Sequence, residues 1–199
     1  RAFIAKLDSN GDLVWTDDEG NSVVKIVSGS KYEKFYDVAL DASGNLYTVG
    51  YTSSWGSGNK DILVAKVNSN TGERIWLKII GGSGYEEGEG IVIRDGHIFI
   101  TGYTDSYGAG GKDIFICEID SDGDLVWEND NGQGLIKTVG GDSNYIDDTG
   151  YKIAFKDYIY VAGTTEYGGS ENIFGLLFSL SIASELEWQG GETWGNVEV

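Results

Sequence analysis

Four stretches of this chain repeat one pattern, an apolar segment, a turn and a tryptophan: FIAKLDSNGDLVW at 3–15, ILVAKVNSNTGERIW at 62–76, IFICEIDSDGDLVW at 114–127 and IFGLLFSLSIASELEW at 173–188. The tryptophans Trp15, Trp76, Trp127 and Trp188 stand 61, 51 and 61 residues apart. Between them a second pattern recurs, DVALDASGNLYTVGYT at 37–52, GIVIRDGHIFITGYT at 90–104 and YKIAFKDYIYVAGTT at 151–165. A period of this length, made of short strands and tight turns, is the signature of a propeller-like array.

Apolar residues alternate within each unit, Phe3, Ala5 and Leu7 against Ile4 and Lys6, or Ile98 and Ile100 against Phe99 and Thr101. Such strands have little polar face, so both sides must be covered. The 31 glycines and the absence of proline leave the turns to Gly, Asn, Asp and Ser, residues that tolerate the left-handed region a hairpin needs. Seven hairpins, hence fourteen strands, are expected. Each full unit is two successive hairpins, a four-stranded antiparallel blade that must stack on its neighbours. The recurring Trp15, Trp76, Trp127 and Trp188 are read as structural, filling the space between blades.

These residues resemble the bacterial and archaeal family of SBBP repeats, the seven-bladed β-propeller repeats. Their units run as an AKxDxxGxLxW hairpin, a GG stretch and an IxxDxxGNxYxTGYT hairpin. The resemblance is carried by Ala5-Lys6-Leu7-Asp8 through Trp15, Ala65-Lys66-Val67-Asn68 through Trp76, Gly81-Gly82, Gly140-Gly141, Gly50-Tyr51-Thr52 and Gly102-Tyr103-Thr104. It spans essentially the whole chain and implies scaffold modules of secreted or surface proteins. The third unit departs from it, with Gly163-Thr164-Thr165 in place of GYT and an insertion at 128–138, and the last hairpin lacks the AK–D pattern.

The phase of the repeat gives an all-β propeller of about three and a half blades: an outer hairpin of an incomplete blade at 1–19, blades at 20–80, 81–130 and 131–189, and the start of a further blade at 190–199. Three and a half blades leave sheet faces and edges open. The expectation is therefore a fragment of a larger propeller, or a homodimer whose two copies complete one ring.

The formal charge of −18, from 32 acidic and 14 basic residues, opposes nucleic acid and anionic membrane surfaces and leaves protein or glycan partners and divalent cations. No stretch of about 18 apolar residues is present to span a membrane. Cys117 is the only cysteine and lies in an apolar alternation, a buried thiol. The turns Asp8-Ser9-Asn10-Gly11-Asp12 and Asp120-Ser121-Asp122-Gly123-Asp124 offer oxygens that suit calcium, with Asp8, Asn10, Asp12, Asp120, Asp122 and Asp124 as its candidate ligands. Their spacing fails the EF-hand pattern, and an Asx-rich hairpin turn is the preferred reading. No other cofactor is implied.

A second acidic group, Glu86, Glu87 and Glu89, then Asp142, Asp147 and Asp148, with Glu33 and Asp37 in the first unit, lies just before the presumed inner strands, accompanied by Tyr32, Tyr85 and Tyr145. Carboxylates beside aromatic rings suit a cation or a sugar, which makes Tyr85, Glu86, Glu87, Tyr145, Asp147 and Asp148 the candidate ligand-binding residues. Solvated loop charge is the alternative. Trp55, Tyr107 and Tyr167 occupy the following loops, read as packing onto the neighbouring blade. His97 is the only histidine, so a catalytic triad or a multi-histidine metal site would require it. No catalytic residue is assigned. The reading is a non-catalytic propeller scaffold or interaction module of an extracellular or cell-surface protein. The alternatives are a carboxylate-dependent propeller glycosidase or lyase, for which Glu86, Glu87, Asp147 and Asp148 are the suspects, and a subunit of a surface filament or layer.

Overall fold

With no proline to interrupt a ladder and glycine at the turns, the alternating apolar runs pair as antiparallel hairpins. The computed structural model describes residues 1–108, 111–127, 136–139, 147–167 and 170–178, of which 166–167 and 170–178 are described as backbone alone. Among these residues there are thirteen strands and no helix, hence no helix able to cross a membrane. Strands β1 (Ala2–Ile4) and β2 (Lys25–Val27) form a two-stranded sheet. A four-stranded meander follows, β3 (Glu33–Leu40), β4 (Asn45–Thr52), β5 (Asp61–Asn68) and β6 (Arg74–Ile80). A second is made of β7 (Glu86–Arg94), β8 (His97–Thr104), β9 (Asp113–Ile119) and β10 (Lys137–Val139). Strands β11 (Asp148–Phe155), β12 (Ile159–Tyr167) and β13 (Ser170–Phe178) form a three-stranded sheet. The two-stranded sheet reaches Val27 and the second meander reaches Val139, beyond the borders at 19 and 130 drawn from the repeat. In the first case the chain makes an extra turn after Trp15, closed by the Thr16–Ser22 bridge, before it returns to pair with β1.

The sheets stack in chain order, with β7 packed across β3, β4 and β5, and β11 across β7, β8 and β9. A closed ring of sheets is not formed among the described residues. The second meander is covered on both faces, as its two-sided apolar strands require. Ile98, Ile100, Phe115, Cys117 and Ile119 pack with Tyr47, Val49, Ile62 and Val64 of the first meander. The alternate residues Phe99, Ile114 and Ile116 pack with Phe155, Ile159 and Val161 of the three-stranded sheet. Cys117 is fully enclosed, and burial pushes its thiol up to about 12.

Two of the repeated motifs act between sheets. The Trp15 indole N–H and the Lys6 ammonium both donate to the Ser69 carbonyl, at 3.1 and 2.9 Å. One unit later Trp76 and Lys66 donate to the Ser121 carbonyl, each at 3.0 Å. The AK and W positions of one hairpin thus clasp the turn of the next. The turn glycine gives the ring its seat: Gly72 has φ +72°, and a Cβ there would lie 2.7 Å from the Trp15 ring, as one on Gly123 would lie 3.0 Å from Trp76. On the other side, Tyr47 meets Trp76 edge-on with ring centroids 5.8 Å apart, and Phe99 meets Trp127 at 6.1 Å. Trp188 lies outside the described residues.

The first strand of each of the three later sheets carries one extra residue, a β-bulge, at the same register: between Phe35 and Asp37, between Gly88 and Gly90, and between Gly150 and Lys152. The three bulged strands lie close enough that the Lys152 ammonium on β11 reaches the Asp37 carboxylate on β3 at 3.1 Å.

Candidate functional site

Each bulged strand opens with a buried acid in register with a threonine, and that threonine faces a third polar residue on the following strand. The sets are Glu33, Thr52 and Asp61, then Glu86, Thr104 and Asp113, then Asp148, Thr165 and Asn172. Glu86 accepts the Thr104 hydroxyl at 3.1 Å and the Gly82 N–H at 2.8 Å. Glu33 accepts the Ser54 hydroxyl. Glu86 and Asp148, proposed from sequence as ligand-binding residues, are both buried in this layer, where Glu86 ties the linker at Gly82 to β8.

Asp61 and Glu86 approach each other across the first interface, since a Cβ on Gly81 would lie 2.4 Å from Asp61 Oδ1 and 2.7 Å from Glu86 Oε2. Burial, with a contribution from the Glu86 charge, raises the Asp61 carboxyl above its ordinary 3.8 against the backbone N–H groups of Gly58 and Ser57. A raised carboxyl favours folding below its unfolded pKa, and that contribution is lost as pH climbs through the folded value. Asp61→Asn should accordingly melt at the same or a higher temperature than the parent chain near pH 7, an advantage that closes on acidification below about pH 4. The third set already carries Asn172 at this position. Thermal melts from pH 3 to 8 check it, and a large loss at pH 7 would contradict it.

Residue Glu87, next along β7, faces the other way. It accepts hydrogen bonds from the Tyr36 and Tyr103 hydroxyls, both at 2.7 Å, and an ion pair from Lys60. Burial pushes the Glu87 carboxyl up, but Lys60, Tyr103 and Tyr36 outweigh it and hold the group below the usual carboxylate range. Burial and the same charge raise both tyrosine hydroxyls strongly. Glu89, in the bulge, is raised by burial and by Glu87, against the opposing pull of Lys152, Lys34 and Lys60.

Beside this cluster lies a cleft of about 810 Å³ lined by Asn59, Lys60, Gly84, Tyr85, Tyr103, Asp105, Gly111, Lys112 and Asp147. Its two lysines stand over tyrosine rings, Lys60 at 4.3 Å from the Tyr51 centroid and Lys112 at 4.5 Å from that of Tyr103. Asp147 accepts the Lys112 backbone N–H at 3.1 Å and lies 3.7 Å from its ammonium. Tyr85 and Asp147, both proposed from sequence, line this cleft, and Glu87 stands behind it on Lys60 and Tyr103. Tyr145 lies outside the described residues. The lysines were missed, although the signal was in the repeat: Lys60-Asp61-Ile62 and Lys112-Asp113-Ile114 share one motif. Aromatic faces, an amide and charges of both signs make the cleft suited to a hydroxyl-rich or peptidic ligand.

The turns proposed for calcium lie at the far end of β9 and in the first hairpin. Asp8 Oδ1 accepts the N–H groups of Asn10 and Asp12 at 2.8 and 3.0 Å, and Asp120 Oδ1 those of Asp122 and Asp124 at 2.9 and 3.0 Å. Those backbone bonds lower both carboxyls. Asp17 and Asp41 make the same kind of turn, and Asp124 pairs with Lys78 at 2.6 Å. Among the described residues no three acidic, histidine or cysteine side chains converge on a metal position. His97 contacts Glu118 at 2.6 Å and stacks on Phe99, within the second meander and away from the cleft. Compared with known proteins, the chain matches no protein-family model and no curated protein.

Proposed function

We propose that this chain is a non-catalytic β-propeller module of the SBBP-repeat kind, part of an extracellular or cell-surface protein, which presents the cleft around Tyr85 to a protein or glycan partner. The observation that carries this reading is the use of the acids. Glu86 and Asp148 are buried and Glu87 is held by three donors, while the exposed wall of the cleft is aromatic and mixed in charge. Such a surface binds by stacking and hydrogen bonding.

The test is binding to an array of neutral oligosaccharides and a panel of peptides, with Tyr85→Ala as the control. Retained melting temperature with about a tenfold or greater loss of affinity supports the reading, since a ring stacked on a ligand contributes on the order of 1–2 kcal/mol. Binding that Tyr85→Ala leaves untouched sinks it.

One observation favours the enzymatic alternative. Glu87 and Glu89, the latter the extra residue of the β7 bulge, have environments that drive their carboxyls in opposite directions, as an acid and base pair requires. Release of reducing ends from an oligosaccharide, abolished by Glu89→Gln, would establish that reading over the first.

A further inference from the structure

The two clasped interfaces inside the stack share one plan, and the outward face of the first two sheets carries the accepting half of it. In each interior case a turn offers a serine carbonyl and a left-handed glycine to the preceding tryptophan, Ser69 with Gly72 and Ser121 with Gly123. The turn at 8–12 repeats both parts with Ser9 and Gly11, the latter at φ +89°, and nothing lies within 4 Å of where a Gly11 Cβ would stand. The apolar positions match as well. Val38 and Leu40 hold the register positions of Ile91 and Ile93, whose side chains pack against the preceding meander. Val38 and Leu40 are 54% and 60% exposed. Phe3 and Ile26 face each other as Leu63 and Ile79 do, yet Leu63 is fully buried while Phe3 and Ile26 are 65% and 55% exposed.

The three-stranded sheet at the other end of the described stack presents one exposed ring of the complementary kind. Tyr160 holds the register position of Tyr47 and Phe99, both buried against the next sheet, and is itself 42% exposed. A surface whose interior counterparts are each covered by a sheet of this repeat is complementary to another sheet of this repeat.

We propose that the face formed by Phe3, Ile26, Val38 and Leu40, with the Ser9–Gly11 turn, accepts the Tyr160 face of a second copy of this chain, head to tail. The contact is heterologous, so two copies close on each other or further copies add. It does not depend on the ligand proposed for the cleft. The charge of −18 opposes it at low ionic strength, and added salt strengthens it.

The experiment is light scattering on a size-exclusion column at moderate salt, with the whole chain. The parent should run at twice the 21.5 kDa chain mass or more. Val38→Lys with Leu40→Lys, which spoils the accepting face, and Tyr160→Lys, which spoils the donating face, should each run as monomers with unchanged near-ultraviolet circular dichroism. Mixing those two variants should restore a pair, because each retains the face the other lacks. A parent that stays monomeric through the whole dilution series overturns the proposal. So does an assembly that the variants leave intact, or a mixture that fails to pair, since face-to-like-face association cannot be complemented this way.

Discussion

Gly102→Ala should unfold the chain or cost it about 4 kcal/mol or more of stability. Gly102 sits opposite Gly88, immediately before the bulge of β7, and a Cβ there would lie 1.8 Å from the Glu87 carbonyl oxygen. The obstacle is backbone, so no rotamer change relieves it. The same overlap recurs at 1.9 Å between Gly50 and the Lys34 carbonyl and at 2.0 Å between Gly163 and the Thr149 carbonyl. This is the physical reason for the glycine of the GYT motif: the bulge tips a carbonyl of the first strand over the α-carbon of the second. Gly96→Ala is the control. Gly96 has φ +87° with open space around it, so alanine there meets only the left-handed penalty of about 1–2 kcal/mol. Urea unfolding of both variants decides the matter, and similar losses would refute the steric account.

A second large effect is expected at Phe99. Its ring is fully buried, 4.9 Å from that of Phe155 and 6.1 Å from that of Trp127, at the centre of the core joining the second meander to the three-stranded sheet. Phe99→Ala should cost about 3–5 kcal/mol, from lost transfer energy and the cavity left behind. Phe99→Leu, which keeps most of the volume, should recover more than half of it. Tyr32→Ala, at an exposed ring, should stay within about 0.5 kcal/mol of the parent. If Phe99→Ala behaved like Tyr32→Ala, the sheets would not be held together by this core.

Much of the local structure was legible. The period-2 alternation of Ile98, Phe99, Ile100 and Thr101 announces a strand covered on both faces, and the core divides those residues in that way. Asp8 and Asp120 announce Asx turns, and each caps its own turn. The site was only half legible. Glu86 and Glu87 read as one acidic pair, yet adjacent residues of a strand point to opposite faces, so one accepts the Thr104 hydroxyl and the other joins the tyrosines. Nor did the sequence reading separate Asp147, on the cleft wall, from its neighbour Asp148, buried at the start of β11.

By itself the sequence determined the repeat, its hairpins and the residues that recur at its turns, because alternation, turn chemistry and glycine placement act within about ten residues along the chain. Only the tertiary structure decided that Lys6 and Trp15 clasp Ser69, that Tyr36 and Tyr103 meet on Glu87, and that Lys152 pairs with Asp37. Each of these meetings brings in a residue from another sheet, Tyr36 in the case of Glu87, and depends on where the bulges fall and on how each sheet lies across the one before it. Neither is set by any single stretch of the chain.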